Sequence, residues 1–101
     1  MSDNSKITID NDTQWSIHGE LGFHTVSQLL KDFKQKQKNT GLPATIDLNQ
    51  VTRTDSAGLA LLVEWLKIAS QTNKEIQFLN FPKQLLHIAE VSEADTLLSV
   101  V

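Results

Sequence analysis

The sequence predicts an α/β domain: a mixed four-stranded β-sheet backed by about three to four α-helices, in the order β-β-α-β-α-β-α. Two periodicities and the chain length carry that expectation. Short stretches alternate apolar and polar residues, as half-buried strands do. Between them, longer stretches repeat apolar residues at i, i+3, i+4 and i+7, as amphipathic helices do. The chain has 101 residues, enough for one core, and folding at that size buries roughly two thirds of the unfolded surface. Apolar residues make up 40% and charged residues 21%, a globular balance. Residues 1–101 are therefore expected to form a single domain, with its core at about residues 6–91.

The elements follow in order. Lys6 to Asp10 alternates with Ile7 and Ile9 on one side, and Thr13 to His18 does so with Trp15 and Ile17. Asn11-Asp12 between them tolerates positive φ, which predicts a tight antiparallel hairpin. Gly19 and Gly22 are expected to break the second strand. Val26, Leu29, Leu30 and Phe33 then mark a helix, with Thr25 and Gln28 spaced for a capping box and Asn39 to Gly41 as its stop. After Pro43, Ala44, Ile46 and Leu48 alternate as a third strand. A helix from about Ser56 to Gln71 follows, closed by Thr72-Asn73. "KEIQFLNF" is a fourth strand with Ile76 and Phe78 on one face. Pro82 sits at the first turn of a last helix carrying Leu85, Leu86, Ile88 and Ala89. The periodicity does not define a form for "EADTLLSVV" after Ser92. A strand–helix–strand unit crosses over right-handed, so the third and fourth strands should run parallel.

Composition narrows the function classes. A net charge of −3 argues against a broad basic face for nucleic acid. The one basic cluster, Lys31, Lys34, Lys36 and Lys38, reads as the solvated face of a helix. Cysteine is absent, which excludes disulfides and thiolate metal sites. The three histidines, His18, His24 and His87, share no metal-ligand spacing, and no nucleophile–His–Asp motif or glycine-rich phosphate loop is present. No catalytic residue, metal or cofactor is therefore expected. No apolar run is long enough for a signal or a membrane span, so the chain is expected in the cytoplasm without direct membrane insertion.

The informative stretch is "VTRTDSAGLALLVEWL", Val51 to Leu66. Thr52-Arg53-Thr54-Asp55-Ser56 reads as a polar turn opening a helix. Asp55 or Ser56 would cap that helix, and Ser56 lies where the helix dipole and free N–H groups favour an added phosphoryl group, although Asp55 would repel it. At 100° per residue, Leu59, Leu62, Val63, Leu66 and Ala69 form one apolar stripe suited to a sheet. Leu61, Trp65 and Ile68, led by Ala57, form a second stripe nearly opposite. Either a neighbouring element of the fold or a partner protein must cover it. An exposed Trp65 flanked by aliphatics would suit a partner's anchor point.

The same residues resemble the STAS domain family, which includes anti-sigma-factor antagonists and the cytoplasmic tails of sulfate transporters. "IDLNQVTRTDSAGLALLVEWL" has the family's strand ending in Asp-Leu, then a short polar loop and Asp-Ser-x-Gly-Leu opening a helix, and "GEL" at Gly19 to Leu21 also fits. Within the family, "DSAGLALLVEWLK" is similar to the MlaB group, the small subunits of phospholipid-transporting ABC complexes. That resemblance implies a non-enzymatic subunit, cytoplasmic and peripheral to the inner membrane, that binds a MlaF-like ABC transporter ATPase subunit and helps maintain outer-membrane lipid asymmetry. The alternative it implies is an anti-sigma-factor antagonist whose partner is an anti-sigma factor kinase and whose switch is phosphorylation of Ser56. Carried over by position, Ser56 is the possible phosphorylation site and Asp55 the aspartate before it, with Thr52, Arg53 and Thr54 in the loop beside the partner. The stripe adds Ala57, Leu61, Trp65 and Ile68 to the expected partner-binding residues.

Overall fold

A computed structural model describes residues 5–92. The elements are β1 (Lys6–Ile9), β2 (Gln14–Leu21), α1 (Val26–Thr40), β3 (Thr45–Thr54), α2 (Ser56–Gln71), β4 (Gln77–Leu79) and α3 (Lys83–Val91). The expected order β-β-α-β-α-β-α is observed. The four strands form one sheet in the order β1-β2-β3-β4, with β1 antiparallel to β2 and the β2–β3 and β3–β4 pairs parallel. Both crossovers step the same way across the sheet, and the right-handed connection then sets α1 and α2 on one face. Ile7, Trp15, Ile17, Ile46, Leu48 and Phe78 are buried on that face. The opposite face carries a polar ladder, in which Thr8 bonds the His18 ring at 3.0 Å and Asn80 donates to Asp47 at 2.9 Å. Asp10 on the same ladder accepts from Ser16.

Several local expectations are corrected. The β1–β2 connection does not use positive φ at Asn11-Asp12. Instead the Asn11 carboxamide oxygen accepts from Thr13 N, Thr13 Oγ1 and Gln14 N at 2.9–3.0 Å, an Asx turn that closes a wider loop. Gly19 does not end β2; it lies inside the strand at φ 92°. The two register shifts between β2 and β3 fall between Ser16 and His18 and between Gly19 and Glu20. They let ten residues of β3 run beside eight of β2. The Thr52-Arg53-Thr54 turn is therefore strand, pairing Glu20 with Arg53 and Leu21 with Thr54. The Thr25–Gln28 capping box does not form. Thr25 Oγ1 instead donates to Glu20 O at 2.8 Å and accepts from Gly22 N at 3.1 Å, and Gln28 reaches Ser5 O at 2.9 Å. Pro82 caps α3 from outside its first turn, and β4 is shorter than the stretch expected. The stops after α1 and α2 are as expected, with Gly41 at φ 82° and Asn73 at φ 59°. Residues after Ser92 lie outside the described residues.

The second stripe of α2 finds its cover inside the fold. Phe33 of α1 stacks on Trp65 with ring centroids 4.6 Å apart and planes at 8°, and meets Trp15 of β2 edge-on at 5.5 Å. Trp65 is fully buried and Leu61 nearly so, while Ile68 packs partly buried against the core. α2 is thus wedged between the sheet, α1 and α3, and needs apolar residues on more than one side. The expectation that Trp65 anchors a partner is corrected, because no partner can reach its ring. Its indole N–H lacks a hydrogen-bond partner among the described residues.

The edge of β1 is partly covered by α1. Ile7 N donates to Asp32 Oδ2 of α1 at 3.2 Å, and Asp32 is held in turn by Lys36 at 2.7 Å.

Candidate interaction site at the mouth of helix α2

Three backbone segments converge on the N-terminus of α2. Asp55 is its N-cap in extended conformation, and its Oδ1 accepts from Ala57 N at 2.9 Å and Gly58 N at 3.2 Å. Its Oδ2 accepts from Phe23 N at 3.0 Å, which ties the β2–α1 turn to the helix mouth. Partial burial raises the Asp55 carboxyl pKa, but these three N–H groups, helped by nearby His24, outweigh it and hold the pKa below the ordinary value. Asp55 is therefore an ionised clamp that accepts from three backbone N–H groups, and these bonds stabilise its charged form.

Two glycines let the segments approach. A methyl group on Gly58 would lie 2.1 Å from Leu21 O and 2.7 Å from Thr54 Oγ1. One on Gly22 would lie 2.7 Å from Asp55 Oδ2. Gly58 is thus where α2 presses against the end of β2. The cost is a buried Thr54 hydroxyl with no hydrogen-bond partner among the described residues.

The clamp presents what lies outside it. Ser56 is the first residue of α2 and is exposed, as are Thr52 and Arg53 at the end of β3. Phe23 is 73% exposed, with its ring edge-on to His24 at 5.5 Å. Beside this mouth, α1 and α2 diverge into an open groove of about 380 Å³ lined by Val26, Ser27, Leu30, Ala57, Ala60, Leu61 and Glu64. Polar mouth and apolar groove form one continuous surface.

The comparisons with known proteins agree with this architecture. The family model described as "Mlab, STAS domain" matches residues 8–99. The chain belongs to the STAS domain family. No curated protein sequence matches it. Among solved structures, the anti-sigma factor antagonist SpoIIAA in its unphosphorylated form is similar with a TM-score of 0.64 at 15% identity, over 96% of this chain and 99% of that one. Mglu in its native form is similar with a TM-score of 0.50 at 15% identity, over 75% of this chain but 22% of that one. At such identities the likeness is one of fold.

On this STAS domain the structure divides the residues expected to meet a partner. Thr52, Arg53, Ser56 and the partly buried Ala57 share the open mouth. Thr54 is buried, Asp55 is engaged as a cap, and Trp65 lies in the core. Leu61 contributes only to the groove floor, and Ile68 packs against the core beyond the lining. Sequence reading missed Phe23, Val26, Leu30 and Ala60. A signal for Phe23 was present, since a large apolar residue directly after Gly22 falls in a turn where the helix stripe has not begun. No local pattern marks Ala60, because its place in the groove depends on how α1 crosses α2.

Proposed function

We propose that this STAS domain is a non-enzymatic subunit that binds and supports the ATPase of an inner-membrane phospholipid ABC transporter of the Mla type. It would sit at the cytoplasmic side of that membrane through its partner and serve the upkeep of outer-membrane lipid asymmetry. The observation that carries the reading is the surface of Phe23, Ser56 and the α1–α2 groove, with the Asp55 cap tying the β2–α1 turn to the helix mouth. An exposed aromatic beside an apolar groove is the composition of a protein-binding hot spot. The family description gives further support for the MlaB likeness. Among the described residues no helix is long and apolar enough to cross a membrane, so attachment through a partner is the simpler route.

The test is recovery of partners by the tagged chain from detergent-solubilised native cells, read by mass spectrometry beside Phe23→Ala and Ser56→Asp variants. Co-purification of an ABC ATPase with its membrane subunit, reduced at least about fivefold by Phe23→Ala, is the expected result. Recovery of a serine-kinase-like anti-sigma factor in its place would overturn it. That second reading, an antagonist switched at Ser56, is favoured by the exposure of Ser56 at the first position of a sixteen-residue helix. Intact-mass measurement of the native protein tests it: a phosphorylated fraction mapping to Ser56 supports the switch, and its absence across growth conditions removes it.

A further inference from the structure

The α1–α2 groove has a charge pattern that neither its lining nor the fold requires. Lys31, Lys34 and Lys38 recur at i, i+3 and i+7 along the exposed side of α1, beside the groove wall of Val26 and Leu30. The only ion pair among the described residues joins Lys36 to Asp32, on the side of α1 that faces β1. The three lysines are thus a one-sign stripe on a chain of net charge −3. The opposite rim, on α2, alternates Glu64 with Lys67, both exposed. The floor between the rims is built from small and aliphatic side chains, Ala57, Ala60 and Leu61 among them. An exposed Ala60 on a helix wall leaves a depression into which a larger side chain can enter.

We propose that this groove seats an amphipathic helix of the partner ATPase, with aliphatic residues on its buried face and aspartates or glutamates along the one flank that faces α1. The inference rests on the partner-binding reading above and adds the chemistry of the partner. Two helices with an apolar furrow between them accept a third helix through i, i+3, i+4, i+7 anchors. The one-sided lysine rim then fixes which way round that helix lies, because the reverse orientation would exchange three lysines for a rim on which Glu64 offsets Lys67.

The experiment places a benzophenone amino acid at Ala60, and separately at Phe23, in the full tagged chain expressed in native cells, and maps the cross-linked peptides. A parallel strain carries K31E/K34E/K38E, with its thermal midpoint measured to confirm folding. Expected are an Ala60 cross-link to an ATPase segment of helical period with acids on one flank, and roughly tenfold lower ATPase recovery in the charge-reversed strain. Lysine substitutions on that acidic flank should restore recovery. The inference is overturned by a neutral or basic peptide, by a second copy of this chain or its own C-terminal residues at Ala60, by no cross-link there, or by undiminished recovery after charge reversal. ATPase captured through Phe23 but not Ala60 would overturn the groove inference alone. An acidic-flanked helix from a protein other than an ABC ATPase would overturn the transporter reading and leave the groove inference standing.

Discussion

At the scale of single residues, the mouth of α2 depends on Asp55 and Gly58. Asp55→Ala removes the cap and the tie to Phe23, and should cost about 1–3 kcal/mol in urea unfolding at neutral pH. The folded carboxyl pKa is depressed, so its stabilising contribution is complete above the unfolded value near 3.9 and is lost as pH falls through the folded value. Acid titration followed by circular dichroism should therefore show the wild type losing this contribution only below about pH 4, with a shallower acid limb in Asp55→Asn. Gly58→Ala sets two effects against each other. Helix propensity gains about 1 kcal/mol, but a methyl 2.1 Å from Leu21 O forces α2 away from β2. The clash should win, with net destabilisation of about 1–3 kcal/mol in the same unfolding assay. Much of this site was legible in "DSAGL", because an aspartate before a helix is a recognisable cap. The grip of Asp55 on Phe23 was not, since it joins residues 32 apart that no local pattern links.

At the scale of elements, α1 determines how α2 is read. A helix with two apolar stripes shows in sequence that two surfaces cover it, but not whether the second belongs to the same chain. Phe33 supplies the answer by stacking on Trp65. In sequence Phe33 belongs to the ordinary stripe of α1, and nothing local marks its ring as a bridge between Trp15 and Trp65. Trp65→Ala should cost about 3–5 kcal/mol in chemical denaturation. Trp65→Phe should cost less, because it also removes an indole N–H buried without a partner. The strands were legible in type and order from period-two alternation. Their lengths were not, because β2 continues through Gly19 and β3 gains its extra residues at bulges, which alternation cannot register.

At the scale of the whole molecule, the sheet has helices on one face and a polar ladder on the other, and the proposed recognition surface lies at one end, where β2, β3 and both crossover helices meet. Variants there should separate binding from folding: Phe23→Ala should keep the wild-type thermal midpoint to within about 2 °C while lowering partner recovery, since an exposed ring contributes little to the core. The contact between Asp32 and the outer edge of β1 has a different consequence. In a crowded cell, a strand with free backbone donors is a template on which further copies can stack. α1 interrupts that template with its own carboxylate at Ile7 and its own carboxamide at Ser5. Asp32→Ala leaves the core untouched but bares the strand, and should convert a monodisperse solution into one that scatters light and binds thioflavin on prolonged incubation. The salt bridge from Lys36, which holds Asp32 in place, is then a guard on storage life.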